Sequence, residues 1–222
     1  MNLSRKLAAE FIGTAGLLAV VVGSGIMGER LAGGNLAVAL IANSLATGCG
    51  LVILIYGLGP ISGAHINPAV TFVESLGGRI ESRTGGLYIL VQVLGGAFGV
   101  LLANLMFDLP AINVSEKVRS GGGQYLGEFV ATFGLIAVIR LGVRFYPELV
   151  GVLVASYITA AYWFTSSTSF ANPAVTIARS LSNTFAGIAP ESIPMFLVSQ
   201  FAGAVAGMLF CNWLLIEVDN VE

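Results

Sequence analysis

Two asparagine–proline pairs, set in otherwise apolar surroundings, are the residues of this chain best suited to chemistry. Each opens the same five-residue stretch, Asn-Pro-Ala-Val-Thr, once at Asn67 and again at Asn172. An asparagine amide offers two N–H donors and a carbonyl acceptor, so it can bind a small polar solute without reacting with it. No nucleophile–base pair or metal-ligand spacing accompanies them, so the residues indicate solute recognition and no enzyme activity.

Each stretch also marks the start of a helix. Asparagine is a good helix N-cap, and proline is well placed at the first helical position. We expect the first helix to end at Gly77-Gly78 and the second near Ser182-Asn183, which makes each about 10 residues or about 15 Å long. That is half of a hydrocarbon core of about 30 Å. Two half-length helices at matching positions predict a solute site at the membrane midplane, built on Asn67, Pro68, Ala69, Asn172, Pro173 and Ala174.

The composition is that of a membrane protein. Of 222 residues, 56% are hydrophobic and 10% charged, where a soluble domain has about 25% charged residues. The length suffices for six or seven spans of about 20 residues, so residues 1–222 form one transmembrane domain without a soluble domain. The sequence has no basic patch of the kind that binds nucleic acid, so no nucleic-acid partner is predicted. Cys49 and Cys211 lie in apolar runs without metal spacing, and no cofactor or metal site is predicted.

Six apolar runs predict the spans, at about 7–27, 36–58, 87–107, 125–141, 149–164 and 194–216. Residues 59–63 and 165–169 interrupt them, and we expect both to be re-entrant loops, because Gly59-Pro60 is unsuited to a helix interior. The longest polar connection, 108–123, joins a first repeat of about 7–107 to a second of about 124–216.

The two halves of the sequence repeat each other. Glu10 and Glu128 stand in matching segments, and Gln92 with its Gly-x-x-x-Gly matches Gln200 with its own. Because each half has three spans, the second copy is inserted upside down. The half-helices then enter from opposite faces and meet at their N-termini.

The paired boxes, the first preceded by Ser62-Gly63-Ala64-His65-Ile66, resemble those of the aquaporin and aquaglyceroporin channels. The resemblance covers nearly the whole chain. It implies an all-α membrane protein with six transmembrane helices, two re-entrant half-helices and an inverted 3+3 repeat. It also implies a homotetramer in the lipid bilayer that passes small neutral solutes. Both termini would be cytoplasmic, which a weak excess of Lys and Arg on that side favours, and the membrane would be the bacterial inner (plasma) membrane.

The half-helices supply electrostatics as well as hydrogen bonds. Each N-terminus carries about half a positive charge, so two facing ends repel protons and cations. Carbonyl acceptors for a passing solute would come from the unwound loops, namely Gly63, Ala64, His65, Ser167, Thr168 and Ser169.

The resemblance also implies an outer constriction of four residues. Counted from the boxes, they are Thr47, Ala160, Ser169 and Val175, where the family usually has an arginine at the last position and at least one aromatic. All four are small and uncharged here, so we expect a wider, less polar opening that passes larger neutral solutes. The stretch from Thr165 to Arg179 resembles a bacterial subgroup associated with arsenic-resistance gene clusters. That resemblance implies arsenite, and further methylated arsenicals, besides water and glycerol-like polyols.

Several alternatives stay open on sequence alone. Glu10 and Glu128, with Gln92 and Gln200, are either buried acceptors for the loop backbones or, for the two glutamates, proton carriers of a coupled transporter. His65 is a structural partner or a pH gate. Arg179 lines the outer vestibule or caps the carbonyls of its own helix. A water-selective channel and a non-conducting junction protein are the remaining alternatives for the whole chain.

Overall fold

The computed structural model describes residues 1–219, with side chains described to residue 216, and this part of the chain is helical. The helices are α1 (Leu3–Leu31), α2 (Leu36–Ser62), α3 (Pro68–Leu76), α4 (Ser82–Met106), α5 (Gly122–Phe145), α6 (Val150–Phe164), α7 (Pro173–Ala178) and α8 (Ile193–Asp219). Within residues 1–219, six helical segments are long and apolar enough to cross a membrane. Over the described residues there is no β-strand, only an isolated bridge between Asn113 and Ser182. The predicted all-α fold with six spans is confirmed.

The first two long helices begin at asparagine caps. The Asn2 side chain accepts a hydrogen bond from the Arg5 N–H, and the Asn35 side chain accepts from the N–H groups of residues 37 and 38. Such a cap satisfies backbone donors that have no partner inside the helix. The chain therefore turns from α1 into α2 within four residues.

Two helix predictions need correction. The half-helix α7 has six residues, because its α-helical part ends at Ala178 and a 3₁₀ turn, Arg179–Leu181, continues to the predicted end.

The predicted end of the second span is wrong. Residues 59–63 were expected to leave the helix, but α2 continues through Pro60 to Ser62 and ends where Gly63 adopts a left-handed conformation, with φ of 91°. A proline this close to a helix end removes a single intrahelical hydrogen bond, the one to the carbonyl of Tyr56. Glycine at the next turn, where φ is positive, provides the stop that the proline does not.

Glycines set the contact between α1 and α4, and again between α5 and α8. A Cβ atom added at Gly95 or Gly99 would collide with backbone of α1, at Phe11 and Ala15 respectively. In the second half, Gly203 and Gly207 approach the backbone of α5 in the same way. The helices of each half thus pack backbone to backbone, which small residues permit in a bilayer.

This packing predicts that Gly99→Ala destabilises the protein. The added methyl group must push α4 away from α1, and overpacking of this kind costs about 1–3 kcal/mol. Gly86→Ala is the matched control, because the same helix has nothing within 4 Å of a Cβ at Gly86. Thermal unfolding in detergent should show a lower midpoint for Gly99→Ala alone; equal midpoints for the two variants would contradict the packing argument.

Candidate functional site

The two box asparagines cap the half-helices α3 and α7, as their sequence predicts. Asn67 Oδ1 accepts from the Ala69 N–H at 2.9 Å. Asn172 Oδ1 accepts from the Ala174 N–H at 3.0 Å and the Val175 N–H at 3.3 Å. Because both side-chain oxygens are used by their own helix, both amide nitrogens point away from it.

Each amide nitrogen reaches the loop that precedes the other half-helix. Asn67 Nδ2 donates to the carbonyl of Ala171 at 2.8 Å, and Asn172 Nδ2 donates to the carbonyl of Ile66 at 2.8 Å. The N-termini of α3 and α7 therefore meet, and the two boxes hold each other in place. A primary amide has a second N–H, so one donor on each asparagine is left for a solute.

Glu10 holds the loop before the first box. Its side chain is fully buried and accepts four hydrogen bonds. The donors are Ser62 Oγ at 2.6 Å, the His65 N–H at 3.0 Å, the Ile66 N–H at 2.7 Å and Gln92 Nε2 at 2.8 Å. Glu10 therefore satisfies two backbone N–H groups of the loop that would otherwise lack an acceptor.

Glu128 does the same for the second loop. It is also fully buried, and it accepts from the N–H groups of Phe170 and Ala171 at 2.9 Å each, and from Gln200 Nε2 at 2.6 Å. Gln92 and Gln200 also donate to matching threonines of α3 and α7. Neither glutamate lines the cavity that Asn67 and Asn172 border. This geometry supports the role of backbone acceptors over that of proton carriers.

The residues just before each box have unusual backbone. Ala64 and Ile66 before the first box, and Ser169 and Ala171 before the second, have φ between 45° and 51°. Non-glycine residues with positive φ are strained and persist only where the surroundings hold them. The buried glutamates supply that hold.

A cavity of about 210 Å³ runs past both boxes. Asn67 and Asn172 line it, together with residues 63–66 and 169–171. The other polar lining residues are Thr47, Glu74, Tyr162 and Arg179. The rest of its wall is mostly apolar, from Leu17, Val21, Leu51, Ile55, Val70, Leu135, Ile139, Val143, Val150, Val154 and Ile158. A solute in this cavity can exchange hydrogen bonds along one line of polar groups while its other sides touch hydrocarbon.

Comparisons with known proteins agree with this geometry. The family model described as Major intrinsic protein matches residues 1–143. The chain is 53% identical over 214 residues to aquaglyceroporin AqpS of Rhizobium meliloti (strain 1021), covering 96% of this chain and 91% of that protein. The chain belongs to the major intrinsic protein family.

More distant members of the family match as well. Aquaporin NIP1-1 of Arabidopsis thaliana is 32% identical over 94% of this chain and 73% of its own length. The X-ray structure of the aquaglyceroporin from Plasmodium falciparum superimposes with a TM-score of 0.75 over both full chains, and its 20% identity shows the shared fold alone. The predicted family is confirmed. As a major intrinsic protein, the chain is a passive membrane channel for small solutes, and it is not an enzyme.

The structure of this family member corrects one predicted constriction residue, Ala160. Its side chain is exposed on the outer face of α6 and does not line the cavity. The lining residues of α6 are Val150, Val154, Ile158 and Tyr162, spaced by four. At 3.6 residues per turn, residue 160 is rotated by about 200° from residue 158 and faces the opposite side.

Tyr162 occupies the place expected for Ala160. Its hydroxyl group lies 3.2 Å from Thr47 Oγ1. Since Thr47 Oγ1 donates to the carbonyl of Asn43, the tyrosine donates to Thr47. Thr47, Ser169 and Val175 line the cavity as well, so the prediction of an outer end without an aromatic side chain is wrong.

Arg179 lines the same cavity and is only 2% exposed. Its Nε donates to the carbonyl of Ala186, outside α7, and its guanidinium lies 3.5 Å from the centroid of the Phe170 ring. The interpretation that it caps the carbonyls of its own helix is therefore wrong. The channel has a guanidinium beside the lumen one helical turn beyond Val175.

The other predicted residues divide as follows. Of the residues predicted to supply carbonyls in the first loop, all three line the cavity, namely Gly63, Ala64 and His65. In the second loop, Ser167 and Thr168 do not line it. Their place is taken by Phe170 and Ala171. Residues 169–171 lie one to three positions before Asn172, as residues 64–66 lie before Asn67, so the spacing in the sequence predicts them as the counterparts. His65 Nδ1 pairs with Thr71 Oγ1 at 3.1 Å, and its ring meets Tyr88 edge to face, contacts that suit a structural partner.

Sequence reasoning missed Tyr162, Phe170 and Arg119. Tyr162 was detectable, because it continues the apolar series of α6 at a spacing of four. Phe170 was detectable by spacing, because it lies two residues before Asn172, as His65 lies two residues before Asn67. Arg119 is in the connecting loop and approaches the pore only through a contact with Phe170 at 4.9 Å, for which the sequence carries no signal.

Proposed function

We propose that this channel conducts small uncharged polyol-like solutes, namely glycerol and undissociated arsenite, together with water. One observation carries the proposal: both box asparagines and the strained loops before them line a single cavity whose remaining wall is mostly apolar. Such a lumen replaces part of a solute's hydration shell by hydrogen bonds from uncharged amide groups. The name of the 53% identical relative, an aquaglyceroporin, supports glycerol-like solutes.

The outer end of the pore sets the finer selectivity. The usual arginine of the constriction is replaced by Val175, while Tyr162 supplies an aromatic ring and Arg179 a guanidinium from further along the chain. We therefore propose Thr47, Tyr162, Ser169, Val175 and Arg179 as the constriction. Arsenite near neutral pH is an uncharged triol and matches glycerol in its pattern of hydroxyl groups. Methylated arsenicals fit the same proposal, because their methyl groups suit the apolar wall.

The assembly follows from the family resemblance. We propose a homotetramer with one pore in each protomer, in the bacterial inner membrane, with both termini cytoplasmic. Large apolar side chains are exposed on the outer helix faces, among them Ile53, Val198 and Leu209. These faces suit contact with lipid or with a neighbouring protomer.

Solute influx into proteoliposomes tests the function. Stopped-flow measurement should show glycerol and arsenite influx well above that of protein-free liposomes, without saturation and without response to an imposed pH gradient. Saturating influx that follows the pH gradient would instead indicate a proton-coupled transporter. No enhancement for glycerol, arsenite or water would reject the channel proposal.

A further inference from the structure

Three cationic side chains converge on one short loop at the end of the pore that carries Arg179, here called the outer end in line with the predicted orientation. Lys117 Nζ donates to the carbonyl of Phe185 at 2.9 Å, and Arg119 Nε donates to the carbonyl of Gly187 at 2.8 Å. Arg179 Nε takes the carbonyl between them, that of Ala186. Lys117, Arg119 and Arg179 form what we call the cationic cluster.

Phe170 brings two members of the cluster to the lumen. The guanidinium of Arg179 lies 3.5 Å from the centroid of its ring, and that of Arg119 lies 4.9 Å away. Both arginines are buried, at 2% and 9% exposure, and Phe170 itself lines the cavity. Two positive charges therefore share one aromatic ring beside the pore.

Within the described part of the chain, no carboxylate forms an ion pair with the cluster, although the charge of Glu29 acts on Lys117 from a greater distance. The ion pairs found there, within 4 Å, join Glu74 to Arg79 and to Arg140, toward the other end of the protein. Glu128, whose charge acts on both arginines, is already bound by two backbone N–H groups and by Gln200. Buried charges in proteins are normally paired. The buried positive charge of the cationic cluster would therefore be stabilised by a mobile anion.

The donors needed for such an anion are free. Among the described residues, the side-chain hydrogen bond of Arg179 comes from Nε alone, which leaves the Nη protons of a group that faces the cavity. A guanidinium fork matches the oxygens of a carboxylate, phosphate or sulfate. Burial lowers the pKa of Arg119 to about 10, so this arginine stays protonated at neutral pH and adds its charge.

We propose that the outer end of the pore is a binding site for a small oxyanion, with Arg179 in contact with the anion and Arg119 and Lys117 adding to the potential behind it. The inference rests on the proposed pore, since the anion reaches Arg179 through the lumen. An anion bound at Arg179 narrows the path of neutral solutes, so an external oxyanion slows their passage.

Inhibition of glycerol influx tests the site in proteoliposomes that contain the full chain. Sodium sulfate outside should slow influx more than sodium chloride of equal ionic strength. Arg179→Gln should raise the half-inhibiting sulfate concentration by about tenfold or more, because it removes a charge-assisted contact. Lys117→Gln, at the exposed rim, should raise it by about two- to fivefold, since it removes only a more distant charge.

Arg30→Gln is the matched control. Arg30 also donates to a backbone carbonyl, that of Phe107 at 2.9 Å, and lies over an aromatic ring, but it is exposed and does not line the cavity. Its variant should keep the wild-type response to sulfate. Equal loss of inhibition in all three variants would attribute the effect to surface charge and overturn the site.

The outcomes separate this site from the pore itself. Rapid glycerol influx that sulfate does not slow in the wild type overturns the anion site and leaves the channel proposal intact. Absence of glycerol influx overturns the channel, and titration calorimetry of the detergent-solubilised protein with sulfate then tests the site alone. Arg179→Lys, which keeps the charge, should retain part of the binding where Arg179→Gln loses it; equal binding by both would also overturn the proposal.

Discussion

Glu128→Gln is expected to destabilise the protein by about 3 kcal/mol or more and to abolish glycerol influx, since hydrogen bonds to a buried charged group contribute about 1.5–3 kcal/mol each. The carboxylate accepts from the N–H groups of Phe170 and Ala171 and from Gln200. An amide in its place has one oxygen, and its NH₂ group would face donors. At least one buried N–H then loses its acceptor.

The loss should be transmitted to the pore. Ser169 and Ala171 have positive φ, and the Ala171 carbonyl accepts from Asn67. If the loop relaxes to an ordinary conformation, that carbonyl turns away and the two boxes separate. Glu10→Gln should act in the same way on the first loop, because Glu10 binds the N–H groups of His65 and Ile66.

Two measurements decide the matter: thermal unfolding in detergent and glycerol influx per folded protein. Glu191→Gln is the control, because this glutamate is exposed in the turn before α8 and its loss should change neither. Wild-type uptake that follows a pH gradient, together with a Glu128→Gln protein of wild-type stability whose uptake does not, would support a proton carrier and contradict the backbone-acceptor role.

The parts of the site that sequence predicts well are those with local causes. The caps at Asn67 and Asn172 depend on N–H groups two or three residues away, so the motif alone determines them. Glu10 and Glu128 are distant from their loops in sequence, but they occur at matching positions of the two repeats. This repetition favours a shared role as acceptors for the loop backbones. The inverted repeat supplied a second copy of each contact, which is what made the fold predictable; the bounds of the two repeats stay a prediction.

The parts that sequence predicts poorly depend on rotation and on distant contacts. Ala160 was selected by counting back from a box, which assumes a connection of fixed length, whereas the helix face is set by 3.6 residues per turn. Pro60 reads as a helix breaker, yet its cost is small in the last turn of α2. The Arg119–Phe170 contact brings together residues 51 positions apart in different loops. Neither an arginine nor a phenylalanine in a loop predicts such a contact by itself.

The second large effect is expected at the constriction, where Tyr162→Ala should widen the pore. We expect the passage of a six-carbon polyol relative to glycerol to rise by about tenfold, which corresponds to a barrier lower by about 1.4 kcal/mol. Tyr162 is 3% exposed and lines the cavity. Because it borders an existing lumen, its removal enlarges the pore instead of leaving a closed void. Stopped-flow influx of the two polyols measures the ratio.

Ala160→Phe separates the two placements of the constriction. If Ala160 lined the pore, a phenyl group there would obstruct it and stop glycerol influx. Since Ala160 is exposed on the outer face of α6, we expect the variant to keep the wild-type rate. Tyr157→Phe controls for loss of a tyrosine hydroxyl on the same helix, as Tyr157 donates to backbone of α5 and does not line the cavity. Two results together would contradict this placement: a folded Ala160→Phe protein that does not conduct glycerol, and a Tyr162→Ala protein with unchanged selectivity. They would place Ala160 in the constriction, as the sequence spacing predicts.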